Sequence, residues 1–215
     1  MEGWRAEGLP LTRRAPTREP RPGALVDAIA LTSGEGARAM PETDRAGLRD
    51  VPLHCIGEAT ANVARLEGFT NVTVGTAGAA PPNGASFGRT LGPRFAGRTV
   101  LYPCALDRRT DFEREATAGG AHVAAWPVYR TVVDHDAVVR LDARLRSDPP
   151  QAILLHAPSA AQALRGIPVS EIGAAKLCLS DAVAAALPDD AAASVLVAER
   201  PTDEALVSLL WKVAG

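Results

Sequence analysis

The sequence predicts an α/β protein made of two similar lobes. Three observations lead there. Short apolar runs alternate with helical stretches, the pattern of parallel strands joined by right-handed crossovers. The apolar residues are mainly Ala, Val and Leu, and aromatics are only 4% of the chain, which suits helices packed closely on a sheet. A stretch early in the chain also returns late in it, in the same order.

The elements follow in turn. The first 23 residues are rich in Arg, Pro and Glu and carry no clear period. From there the apolar runs predict buried strands at Ala28–Leu31, Leu53–Ile56, Val72–Val74, Thr99–Tyr102, His122–Ala125, Ala152–Leu155, Leu177–Leu179 and Ser194–Ala198. Between them, Thr60–Glu67, Asp111–Ala118, Ser159–Leu164 and Asp203–Lys212 show helical spacing. Pro81-Pro82 and Pro149-Pro150 mark loops.

The repeat has three parts. Ala28-Ile29-Ala30-Leu31 with the following Thr32-Ser33 answers Ala152-Ile153-Leu154-Leu155 with His156-Ala157. Ile56-Gly57-Glu58-Ala59 answers Leu179-Ser180-Asp181-Ala182, and Val72-Thr73-Val74 answers Val195-Leu196-Val197. The offset is nearly constant. Two α/β lobes facing each other across their strand carboxyl ends would form a cleft. Helix N-termini there carry free N–H groups that favour anions, so a polyanion could bind without a large basic excess.

Composition narrows the function. The 215 residues are 47% hydrophobic and 22% charged, with a net charge of −2, as in an ordinary globular protein. Only Lys176 and Lys212 among the 23 basic residues are lysines, and no basic stretch alternates with aromatics, which argues against nucleic acid. No apolar run approaches membrane-spanning length, since Pro188, Asp189 and Asp190 interrupt the longest. Cys55, Cys104 and Cys178 have neither metal-ligand nor disulfide spacing. They read as small apolar residues of a reduced, cytoplasmic, metal-free protein. Gly34-Glu35-Gly36 and Gly75–Gly78 complete no dinucleotide or P-loop signature.

Ordered motifs then resemble a family. Leu31-Thr32-Ser33 is followed by Gly57-Glu58-Ala59-Thr60-Ala61 with Gly68-Phe69. Thr99-Val100-Leu101-Tyr102-Pro103 comes next, then Gly120-Ala121-His122-Val123, Val128-Tyr129-Arg130-Thr131 and Arg200-Pro201-Thr202. Together, from about Gly8 to Leu210, they resemble uroporphyrinogen-III synthase. The resemblance implies two flavodoxin-like parallel-sheet lobes joined by a two-stranded β connector. Mapped here, residues 18–125 form the complete lobe, 134–215 with 1–8 the split lobe, and 9–17 and 126–133 the connector strands. The family's opening strand and helix, with a Thr-Arg-Pro segment, have no counterpart before Gly8. Either the start codon is set too far downstream, which is the favoured expectation, or the split lobe lacks that strand and helix.

The resemblance implies a cofactor-independent cyclisation of hydroxymethylbilane, a linear tetrapyrrole with eight carboxylates, to uroporphyrinogen III with loss of water. It also implies a cytoplasmic monomer with no nucleic acid or membrane partner, in transient contact with the preceding pathway enzyme. Tyr129 is the expected proton donor or hydrogen-bonder to the departing hydroxyl. Thr32, Ser33, Gly57 and Thr60 are the expected carboxylate binders of one lobe, with Ser159 and His156 on the other. That second lobe departs from the family: His156-Ala157 stands where a Thr-Ser pair is usual, and Ser180 and Val183 replace a Gly and a Thr. Those changes motivate an alternative, a catalytically degenerate two-lobe binding module. A phosphoacceptor domain pair fares worse, because no acidic cluster sits at the strand ends.

Overall fold

The structure is a computed structural model that describes residues 4–23, 25–75, 83–167, 173–191 and 194–213. Pro81-Pro82 and most of the Gly75–Gly78 stretch lie outside the described residues. The chain divides into two compact units, Arg14–Arg130 and Met1–Arg13 with Thr131–Gly215. It passes from one to the other inside two strands, β1 (Thr12–Pro16) and β6 (His122–Val133). These strands run in opposite directions: Asp134 N–H donates to Leu11 O at one end, and Thr17 N–H to Val128 O at the other.

The Arg14–Arg130 unit holds β2 (Ala28–Leu31), β3 (Leu53–Cys55), β4 (Val72–Val74) and β5 (Thr99–Ala105). Its helices are α1 (Gly34–Arg38), α2 (Glu42–Leu48), α3 (Glu58–Leu66), α4 (Gly84–Arg94) and α5 (Asp111–Ala118). With β1 and β6 the sheet order is β1-β6-β5-β2-β3-β4. Pairings from β6 through β4 are all parallel. Strand β2 is buried on both faces, which is why it reads as an unbroken apolar run. Successive strands first build outward from β2 through β3 and β4. They then restart on its other side with β5 and β6, so the order reverses between β2 and β5. Ligands of open α/β sheets gather beyond the strand ends at such a reversal.

The other unit holds β7 (Ala152–Leu155), β8 (Ala175–Cys178) and β9 (Val195–Val197), parallel and in that order. Its helices are α6 (His135–Ser147), α7 (Pro158–Gln162), α8 (Asp181–Ala184), α9 (Asp203–Ser208) and α10 (Leu210–Val213). Trp4 packs into the cluster on one face of this sheet, with Leu154, Leu177 and Leu206. Leu9 and Leu11 pack into the other cluster, with Leu155, Leu164 and Cys178.

The internal repeat is preserved at the level of register. Leu31 pairs with Cys55 and Cys55 with Val74; Leu155 pairs with Cys178 and Cys178 with Val197. The hydrogen bonds that close these strand ends match too. Ile56 N–H donates to Leu31 O at 2.9 Å and Leu179 N–H to Leu155 O at 3.0 Å, while Gly75 donates to Cys55 O and Ala198 to Cys178 O.

Candidate functional site

Thr32 is the first residue past β2, and Tyr102 lies on β5, its neighbour across the strand reversal. Their hydroxyls sit 2.9 Å apart. The Tyr102 ring is packed against Phe112, with centroids 4.6 Å apart and planes tilted by 52°, and Phe112 packs in turn on Phe87. Burial pushes the Tyr102 pKa up to about 12, against a smaller lowering by the Thr32 hydrogen bond, so the phenol stays protonated through the neutral range.

This hydroxyl pair borders a cavity of about 540 Å³ whose lining includes Asn83, Gly84, Arg108, Arg109 and Asp111. That volume is in the range of small-molecule sites, about 300–1,000 Å³. Arg108 forks onto one carboxylate oxygen of Glu113, through Nε at 2.9 Å and Nη2 at 2.6 Å. Burial alone would lower the Arg108 pKa, but the hydrogen bonds to Glu113 hold it above its ordinary value. Asp111 lies 3.2 Å from Arg114. Asn83 caps α4 by a reciprocal pair of bonds with Ser86.

Tyr129 sits elsewhere in the same unit. Strand β6 follows β5 residue for residue from Thr99–His122 to Cys104–Pro127, and then Ala105 pairs with Tyr129. Val128 is the extra residue, and a bulge of this kind re-aims the side chain that follows it. Trp126, Val128 and Tyr129 consequently join one core cluster, although plain alternation would send Tyr129 to the opposite face. The Tyr129 ring edges a second cavity of about 250 Å³ with Arg14, Glu35 and Arg38, and the Arg14 guanidinium lies 5.7 Å from the ring centroid. This cavity shares no lining residue with the larger one.

The remaining expected residues are placed as follows. Ser33 caps α1 by accepting from Glu35 N–H at 3.2 Å. Gly57 is the residue before α3, with extended backbone. Thr60 lies within the first turns of α3 and is buried. Of Thr32, Ser33, Gly57 and Thr60, only Thr32 lines the larger cavity. In the other unit, Ser159 is on the first turn of α7, whose cap position Ala157 offers no side-chain bond. His156 is exposed, with Nε2 3.5 Å from the Asp203 carboxylate. An acidic neighbour offers a protonated imidazole a partner that any bound carboxylate must displace. Cys55, Cys104 and Cys178 are free and buried; burial raises all three thiol pKa values, to about 12 for Cys55 and Cys104.

Tyr102, Arg108, Arg109 and Asn83 are not among the site residues expected from the sequence. A usable signal existed for one of them, since Tyr102 precedes Pro103 at the end of an apolar run. The arginines fall in an aperiodic loop that only the fold brings to Thr32.

The chain matches the family described as Uroporphyrinogen-III synthase HemD over residues 2–208. No curated protein matches it. Among solved structures, it is similar to a uroporphyrinogen-III synthetase from Helicobacter pylori, with a TM-score of 0.65 and 17% identity, covering 94% of this chain and 91% of that one. A mutant uroporphyrinogen III synthase from Thermus thermophilus matches at a TM-score of 0.45 and 16% identity, covering 96% and 88%. At such identity the first likeness establishes the fold.

Proposed function

The chain belongs to the uroporphyrinogen-III synthase family, and from that premise we propose how its own residues close hydroxymethylbilane to uroporphyrinogen III. The reaction is a cyclising loss of water. The terminal hydroxyl leaves, an azafulvene-like cation remains, and the last pyrrole is attacked at its substituted carbon. The resulting spiro intermediate fragments and recombines, which inverts that ring.

Two contributions are needed from the protein. One is help for the departing hydroxyl, and general acid catalysis typically supplies about 10²–10⁴-fold. The other is a fold of the substrate that brings the substituted carbon nearest the electrophile; positioning can supply up to roughly 7–11 kcal/mol. Tyr129 takes the first role in this reading. Its phenol donates to the leaving hydroxyl, and the proton is returned when the closed ring loses its own. The bulge that turns Tyr129 toward the Arg14 cavity supports this assignment.

Thr32, Ser33, Gly57 and Thr60 provide hydroxyls and N–H groups for substrate carboxylates on one unit, and Ser159 does so on the other. His156 contributes only where a carboxylate displaces Asp203. The protein works as a monomer in the cytoplasm. It takes its substrate from the preceding enzyme, because free hydroxymethylbilane closes unaided to isomer I. Among the described residues, no helix is long and apolar enough to cross a membrane.

The family match across residues 2–208 carries this conclusion. The test is the isomer ratio formed from hydroxymethylbilane generated in situ. An excess of type III over the blank supports the enzyme, whereas a blank-like mixture with retained ligand binding favours the degenerate binding module.

A further inference from the structure

Asp111, which lines the larger cavity, and the nearby Glu113 and Glu115 are already engaged. Glu113 holds Arg108 at 2.6 Å, Asp111 faces Arg114 at 3.2 Å, and Glu115 lies 3.1 Å from Arg114 and 3.4 Å from Arg89. Arg109 lines the same cavity. It is exposed and makes no ion pair among the described residues. Among the described residues, Arg109 is therefore a cation of this cavity without an acidic partner, beside a pair of hydroxyls at the strand reversal.

We propose that Arg109, as a substrate-binding residue, and Tyr102, as a positioning residue, seat one carboxylate-bearing pyrrole of the substrate in this cavity. Arg109 takes the carboxylate, and Tyr102 orients the Thr32 hydroxyl toward it.

The hydrogen-bond directions follow from the donor inventory. A carboxylate only accepts, so Thr32 must point its O–H at the ligand. Its oxygen then accepts from the Tyr102 O–H, which is 2.9 Å away. The Tyr102 ring is held in that role, because it is buried and packed at a tilt against Phe112. Arg108 is fixed on Glu113 and on Ala105 O at 3.4 Å. It shapes the wall, and Arg109 supplies the charge. The planar fork of an arginine suits two-point recognition of a carboxylate. This proposal rests on the family reading for its substrate, and it locates a contact separate from Tyr129, whose cavity shares no wall with this one.

The test uses the full chain, with Arg109→Gln, Arg109→Lys and Tyr102→Phe variants. Two readings are taken: steady-state kinetics with purified hydroxymethylbilane, and fluorescence titration with uroporphyrin, an octacarboxylate probe. Arg109→Gln is expected to raise KM and the uroporphyrin Kd about tenfold with kcat nearly unchanged. Arg109→Lys restores part of that loss. Tyr102→Phe raises KM several-fold without changing the melting temperature by more than a few degrees. Arg109→Gln with wild-type KM and wild-type Kd overturns the proposal, as does a wild-type chain that fails to bind uroporphyrin. A wild type that binds the probe but yields no excess of type III removes the catalytic reading instead. The loss of probe affinity in Arg109→Gln then still decides this one.

Discussion

His54 Nδ1 lies 2.7 Å from Thr73 Oγ1 across neighbouring strands, while His54 Nε2 is buried with no hydrogen-bond partner among the described residues. The ring also packs against Phe95 at a centroid distance of 5.2 Å. Burial, helped by the nearby Arg94 charge, lowers the His54 pKa from 6.5 to about 4.

The consequence is a stability that depends on pH. Between about 4 and 6.5 the unfolded chain binds a proton at this histidine and the folded chain does not. Stability is therefore full above pH 6.5 and falls as the pH drops toward 4. At 1.36 kcal/mol per tenfold change in proton affinity, the loss is about 3 kcal/mol. Urea unfolding at pH 7 and at pH 4.5 checks it against His54→Leu. The wild type should lose substantially more stability than the variant, and parallel losses would remove His54 from the account.

Helices α4 and α5 meet through glycines. A Cβ placed on Gly88 would lie 2.6 Å from Phe112 O, and one on Gly92 would lie 2.7 Å from Ala116 O. Gly88→Ala is expected to cost about 1–3 kcal/mol through forced separation of the helices. Gly47→Ala, in α2, meets nothing within 4 Å. It should stabilise by roughly 0.4–1 kcal/mol, by restricting the unfolded chain. Thermal melts of the two variants should move in opposite directions.

Tyr129→Phe removes one hydroxyl from a ring that stays in the core. The backbone bond from Leu106 N–H to Tyr129 O, at 2.7 Å, does not depend on the side chain. The fold should persist, and kcat should fall about 100-fold, the lower end of a general-acid contribution. An unchanged kcat, with an unchanged circular dichroism spectrum, would take Tyr129 out of the mechanism.

How far the sequence reveals these features depends on whether each is local. The strand containing Leu31 is legible because burial on both faces leaves an unbroken apolar run; the run ending at Leu155 is equally unbroken though mostly half-buried, and the repeat fixes their equivalence. Strand β6 is legible only in pieces. Pro127 and the bulge at Val128 break its alternation, yet the chain runs as one strand from His122 to Val133. Helix α4 gives a weak signal, since Gly88, Gly92 and Pro93 all lower helix propensity. Its packing on α5 needs those glycines, and that requirement is tertiary. For the site, Thr32 stands out as a hydroxyl at a strand end. Tyr102 and Arg109 do not, because their meaning comes from a strand order in which distant segments become neighbours.

This chain, as a member of its family, directs ring closure toward the inverted product. The most direct measurement supplies hydroxymethylbilane from its synthase in the same tube, oxidises the products and separates the porphyrin isomers. With the chain present mainly uroporphyrin III is expected, and without it mainly uroporphyrin I. Equal proportions in the two tubes, with the chain shown to be folded, would contradict it.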